Sequence, residues 1–241
     1  NKGVKGEINV SGAKNSCLPL MAASILFKKK VILRNAPFVK DVLTMKDLLK
    51  SLGSKVELIK EKKIIKITNN KKHKLIVPYN LVSTMRAGVL TMGPLLARYP
   101  KSKIRVALGG GCALGIRDTS WHLSGFKSLG ADNNLNRGYV NIYSKNGLKG
   151  NIFKFPKVTV TGSSNLIMAS VLIKGEHIIK NISIEPEVKD LIKFLNNSGA
   201  QIKFIGKRSI KIQGVNELVN GDHTIIGDRI EAFSYLCVAA I

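Results

Sequence analysis

An α/β fold built from three copies of one helix–strand–helix–strand–strand unit is what this sequence predicts. Three observations carry that prediction. Three long segments repeat one order of patterns. Helical stretches such as LTMKDLLKSL (43–52) and VKDLIKFL (188–195) carry apolar residues at i, i+3, i+4 and i+7, whereas RSIKIQG (208–214) alternates as a strand does. Each unit's second helix runs into a glycine (Gly53, Gly130 and Gly199), the residue that takes up the left-handed conformation ending a helix.

The first unit reads SGAKNSCLPLMAASIL (11–26), VILRNAP, DVLTMKDLLKSLGSKVELI (41–59) and KIIKIT. The second reads STMRAGVLTMGPLLA (83–97), KIRVALGGG, DTSWHLSGFKSLGADNNL (118–135) and YVNIY. The third reads TGSSNLIMASVLI (161–173), EHIIKNI, EPEVKDLIKFLNNSGAQIKFI (185–205) and SIKIQG. Ser11, Thr84 and Thr161 stand just before the first helices and are expected to cap them. A fourth copy begins at GDRIEAFSYLCVAAI (227–241) and stops inside its first helix. Such a helix cannot bury its apolar face, and the chain opens NKGVKGEINV without Met, so a longer protein is expected.

Composition narrows the class. Of 241 residues, 44% are hydrophobic, enough for a sizeable core, and 6% are aromatic, so aliphatic side chains must fill it. There is no apolar run near the length of a membrane span and no secretory pattern at the start. Three cysteines without CxxC or Cys/His spacing indicate neither a disulfide framework nor a zinc site, and reduced thiols point to the cytoplasm. The net charge of +24 raises the alternative of a non-catalytic repeat domain that binds polyanions such as nucleic acid. Against it, the lysines are spread over the whole chain. Those in KEKKIIKI (60–67) and NKKHK (70–74) alternate with or flank strands, without aromatic interleaving, as solvated faces do.

The chemistry concentrates in VALGGGCALGIRDTSWH (106–122). Gly109, Gly110 and Gly111 let a ligand approach the main chain, and Cys112 follows them with Arg117 five residues on. A thiol beside a cation and free amides is a candidate nucleophile or acid. Cys17 and Cys237 fall in apolar helical patterns and read as core. Lys14 and Asn15 stand at a helix start, where free amides favour an anion, and Arg86 and Arg229 recur at the equivalent starts. Glu185 and Glu187 precede another helix and suit its positive end.

Taken in order, SGAKNSCLPLMAASIL, LRNAP, TMRAGVLTMGPLLAR, GGGCALGIR, KVTVTGSSNLIMAS, EPEVKDL and DRIEAFSYLCVAAI closely resemble the UDP-N-acetylglucosamine enolpyruvyl transferase family, over essentially all 241 residues. The Gly-Gly-Cys loop with its following arginine is the most specific element. The related enolpyruvylshikimate-phosphate synthases share the fold and lack that loop. The resemblance implies an inside-out α/β barrel of three units, helices within and sheets outside. It assigns 14–226 to one complete domain and 1–13 with 227–241 to a second, truncated one. It implies transfer of the enolpyruvyl group of phosphoenolpyruvate to the 3'-hydroxyl of UDP-N-acetylglucosamine, the first committed step of peptidoglycan synthesis, with no metal or organic cofactor and no nucleic acid or membrane as partner.

Residue by residue, the resemblance makes Cys112 the catalytic thiol, proton donor and target of fosfomycin-type inhibitors. Lys14, Asn15 and Arg117 match phosphoenolpyruvate contacts. Arg86, Arg117, Asp118, Thr119, Ser120, Trp121, Lys157, Val158, Thr159 and Val160 match contacts to the UDP-sugar. The family's Arg-Pro-Val-Asp-Leu-His reads Arg117-Asp118-Thr119-Ser120-Trp121-His122 here, which removes a turn-fixing proline and a carboxylate acceptor. Gly162-Ser163-Ser164-Asn165 replaces a common Gly-Ala/Thr-Glu-Asn, and Gly227 replaces a usual Pro. The family's aspartate base falls beyond residue 241.

Overall fold

The computed structural model describes residues 6–69, 72–83, 85–107 and 119–240, with Arg86 described by its backbone. The first unit comprises α1 (Lys14–Ala23), β1 (Lys30–Arg34), α2 (Lys40–Leu52), β2 (Lys55–Ile59) and β3 (Ile64–Thr68). After β4 (Ile76–Val77) and α3 (Tyr79–Val82) comes the second unit. Its first helix is a 3-10 turn, Arg86–Thr91, running into α4 (Met92–Arg98). It continues with β5 (Ile104–Ala107), α5 (Ser120–Ser128), β6 (Asp132–Asn136) and β7 (Tyr139–Tyr143). A strand β8 (Ile152–Lys154) leads into the third unit: α6 (Val160–Ser170), β9 (Glu176–Lys180), α7 (Pro186–Asn197), β10 (Gln201–Gly206) and β11 (Ser209–Gln213). β12 (Gly221–Thr224) and α8 (Arg229–Ala239) follow.

The three units make three four-stranded sheets of one design, β12-β1-β3-β2, β4-β5-β7-β6 and β8-β9-β11-β10. Within each, the unit's own strands pair antiparallel, and an extra strand pairs parallel to the first. The sequence pattern did not show β4, β8 and β12, because each is short and lies in what reads as a connection. They matter for closure. β8 leads straight into the first helix of the unit whose sheet it joins, and β4 does so with only α3 between. β12 joins the sheet of the first unit, whose helix comes from the other end of the chain.

Helices occupy the middle. Residues Ser16 to Ala23 of α1, Met92 to Ala97 of α4 and Gly162 to Ser170 of α6 are all buried, so these helices are enclosed on every side. α2 and α7 instead bury one stripe, Val42, Met45, Leu48, Leu49 and Leu52 in α2. Phe27 and Phe194 stack with ring centroids 5.3 Å apart and join the first unit to the third. The glycines expected to end the second helices do so with positive φ: Gly53 at 107°, Gly130 at 90° and Gly199 at 99°.

Three expectations are corrected. α1 begins at Lys14 after Ala13, with no side-chain cap, and the Ser11 amide binds Glu231. α6 begins one residue before Thr161, and Thr159 caps it, its Oγ1 accepting from the Gly162 amide at 3.2 Å. Thr84 lies outside the described residues. Cys17 is fully buried as expected, whereas Cys237 is exposed, because no residue of α8 is buried.

Candidate functional site

A string of polar contacts ties the N-terminal turns of six helices together at one end of the domain. The Lys14 ammonium at the start of α1 lies 2.9 Å from Asp41 in the first turn of α2. The Lys14 amide donates to Asp228, the side-chain cap of α8, at 3.4 Å. Arg229, next along, pairs with Glu187 at 3.0 Å and Glu185 at 3.1 Å, at the start of α7. Glu187 is buried and Glu185 exposed, so the guanidinium closes over one carboxylate and leaves the other at the surface. Just before α7, the Ser183 amide donates to Ser163 Oγ in α6 at 2.9 Å. Thr161 Oγ1 meets His122 Nε2 in the first turn of α5 at 3.3 Å.

The positive ends of these helix dipoles therefore gather on one face, where they already meet Asp41, Asp228, Glu185 and Glu187. Asn15, exposed in the first turn of α1, belongs to it, as do Thr119 at the cap of α5 and exposed Ser120. Trp121 is half-buried and packs against the core. Exposed Lys157, Val158 and Val160 flank the cap of α6, with Val158 and Val160 showing 44% and 42% of their surface. Thr159 is engaged in capping. Cys112, Arg117 and Asp118 lie outside the described residues, as does the Arg86 side chain. In sequence, the segment that carries Cys112 falls between β5, which ends at Ala107, and α5, which begins at Ser120.

Sequence reasoning missed the acidic half of this face. Asp41, Asp228 and Glu231 each hold a specific partner, and only Asp228 has a readable signal, as an N-cap residue before an apolar helix. Beneath the face, Asp190 of α7 is buried and accepts from Ser16 of α1 and His223 of β12. Among the described residues no group of three or more His, Cys, Asp and Glu side chains is arranged to hold a metal, and no helix is long and apolar enough to cross a membrane.

The repeated sheets and the buried first helices are those of an enolpyruvyl transferase fold. The EPSP synthase (3-phosphoshikimate 1-carboxyvinyltransferase) family matches residues 1–241, and the chain belongs to that family. Within it, the chain is similar to proteins named UDP-N-acetylglucosamine 1-carboxyvinyltransferase. It is 48% identical to that of Pelagibacter ubique over 99% of the chain and 56% of the relative. To that of Coxiella burnetii it is 44% identical over 99% of the chain and 54% of the relative. Among solved structures, the enolpyruvyl transferase NikO from Streptomyces tendae superposes with a TM-score of 0.82 at 18% identity, over 98% of this chain and 55% of that one. EPSP synthase from Acinetobacter baumannii superposes at 0.73 and 16% identity, over 94% and 51%. The chain thus spans about half the length of the curated relatives it matches.

Proposed function

We propose that this chain supplies one wall of a UDP-N-acetylglucosamine enolpyruvyl transferase site, holding phosphoenolpyruvate and the UDP-sugar on the face of gathered helix starts. The observation that carries the reading is the 48% identity over 99% of the chain to a protein of that name. The face adds a physical reason, since both substrates are anions and both need fixed dipoles and cations. Lys14 and Asn15 hold phosphoenolpyruvate with Arg117. Arg86, Arg117, segment 118–121 and segment 157–160 hold the UDP-sugar. Cys112 is the acid that protonates the methylene carbon and the nucleophile that fosfomycin alkylates. The setting is cytoplasmic peptidoglycan synthesis.

The domain reading supports this picture. Residues 14–226 form one closed domain, and 1–13 with 227–241 belong to a second. In favour, Gly12 and Gly227 pair antiparallel, the Ala13 amide donates to Ile226 at 2.8 Å, and the Asp228 amide donates to Ser11 at 2.8 Å. The two crossings of the chain thus run side by side. At that crossing α1 takes the place after β12 that α4 and α6 take after β4 and β8, and α8 is turned outward.

The test is protection of Cys112. Alkylation is followed by peptide mapping, with and without UDP-N-acetylglucosamine and fosfomycin. UDP-N-acetylglucosamine should change the Cys112 rate selectively, and fosfomycin should add to that residue alone. Equal rates with and without the UDP-sugar, together with salt-sensitive binding of nucleic acid, would replace the reading with polyanion binding.

A further inference from the structure

Asn165 of α6 is completely buried, and every polar atom of its side chain is used. Its Oδ1 accepts from the Gly93 amide at 2.7 Å. Its Nδ2 donates to the Val89 carbonyl at 2.8 Å and lies 2.9 Å from His122 Nδ1. The amide orientation is fixed by the main chain, because a flip would set oxygen against the Val89 carbonyl and NH2 against the Gly93 N–H. Both Nδ2 hydrogens are therefore donated, one of them to His122. Nδ1 of His122 is then an acceptor, and the ring proton sits on Nε2, facing Thr161 Oγ1 at 3.3 Å. Helices α4 and α6 cross so closely here that a Cβ on Gly93 would collide with the Asn165 main chain.

Asn165 lies in α6, its side chain reaches the 3-10 turn, α4 and α5, and the parts of the proposed UDP-sugar site adjoin α6, the 3-10 turn and α5. The 3-10 turn containing Val89 begins at Arg86. His122 follows segment 119–121 directly, and Thr161 follows Val160. We infer that Asn165, acting through His122, is a positioning residue that sets these three segments in register with one another. The role in nucleotide binding rests on the reading given under Proposed function, whereas the register among the segments does not. Satisfied buried networks of this kind hold one arrangement, because each broken bond leaves a desolvated group unpaired.

The experiment is nuclear magnetic resonance of the isotope-labelled chain, with titration of UDP-N-acetylglucosamine. Wild-type His122 should show the neutral Nε2–H tautomer. Asn165→Leu should shift the amides of 119–123 and 86–93 together, and should weaken UDP-N-acetylglucosamine about tenfold or more, the scale of misplaced contacts. His122→Leu should do the same. His122→Asn keeps an acceptor, Oδ1, where Nδ1 stood, and should restore the pattern around Asn165 with affinity within about threefold of wild type. A merely structural role would not distinguish His122→Asn from His122→Leu at equal stability. The inference is overturned if Asn165→Leu, or His122→Leu should the first not fold, leaves the 119–121 amides in place, or if His122→Asn and His122→Leu behave alike. If the wild-type chain does not bind UDP-N-acetylglucosamine, the functional reading falls with it, and the amide shifts alone decide the register.

Discussion

His223 and Asp190 meet across 2.8 Å with almost no solvent at either side chain, 5% and 1% exposed, and so bind β12 to α7. Ser16 of α1 donates to the same carboxylate, and the Ile226 amide lies 3.5 Å from it. One acidic group thus joins the helix nearest the start of the chain to the strand that closes its sheet from the far end. Replacing it removes the shared acceptor and leaves a buried hydroxyl and a ring nitrogen unpaired. Asp190→Ala should therefore lower stability by about 3 kcal/mol in denaturant unfolding. A loss below about 1 kcal/mol would show that water takes over the acceptor role.

The cysteines should separate by burial. Cys17 is fully buried, and desolvation pushes its thiol far above the usual range, so it should stay unlabelled by iodoacetamide in the folded chain. Cys237 is exposed on α8 and should be labelled at a rate near that of a free thiol. Mass mapping after brief labelling checks both, and rapid modification of Cys17 would mean that α1 opens readily.

The repeat was legible because helical and strand periods, and the glycines after the second helices, are local features. Closure was not. β12 pairs with β1 although Val31 and Gly221 are far apart in sequence, and nothing in GDHT announces a strand. The cap residues were misread by two positions for the same reason. Thr159 and Thr161 are both plausible local caps, and the pattern does not say that the helix begins at Val160, which puts Thr161 inside it and Thr159 at the cap. On the candidate face the cations were legible as recurrent helix starts. Their partners, Asp41 for Lys14 and Glu187 for Arg229, come from other elements, so no spacing rule reveals the pairing.

Acid should weaken the fold through His73. The ring is buried between Tyr99, whose hydroxyl lies 2.8 Å from Nδ1, and Ser54 at 3.2 Å from Nε2. Burial, with the nearby Arg98 charge, lowers its pKa from 6.5 to about 4. Since the folded state binds the proton more weakly than the unfolded one, the contribution is fully present above pH 6.5 and is lost as pH falls towards 4. The loss should reach about 2 kcal/mol after allowance for solvent screening. His177 adds in the same direction, being lowered by burial. Denaturant midpoints at several pH values, for wild type and His73→Gln, would reveal the component. Identical pH slopes for the two proteins would exclude it.

The surface lysines of the first sheet should be dispensable. Lys62 and Lys63 are exposed at the turn between β2 and β3, and no ion pair of either is found among the described residues. Lys63 takes a left-handed φ of 51°, and its carbonyl accepts from the Ala36 amide at 2.8 Å, a bond its side chain does not affect. Replacing both by Gln should shift unfolding by no more than about 0.5 kcal/mol. A loss of several kcal/mol would mean that their charge is structurally engaged.

α8 should govern the solution behaviour of these 241 residues produced alone. Phe233, Leu236 and Val238 are 68%, 65% and 60% exposed, and Ile230 is 54% exposed. The helix is held through its first turn, by the Asp228 cap and by Arg229 and Glu231, while no residue along its length is buried. Covering a large apolar side chain contributes about 2 kcal/mol, so three or four of them leave a strong drive for association. The chain should therefore self-associate in sedimentation velocity at micromolar concentration, and Phe233→Glu with Leu236→Glu should shift it towards monomer. Neither side chain packs on the rest of the domain, so the unfolding midpoint of the double variant should stay near that of wild type. Association that persists in the double variant would place the contact elsewhere, with the exposed Phe204 and Ile205 of the edge strand β10 as the next surface to change.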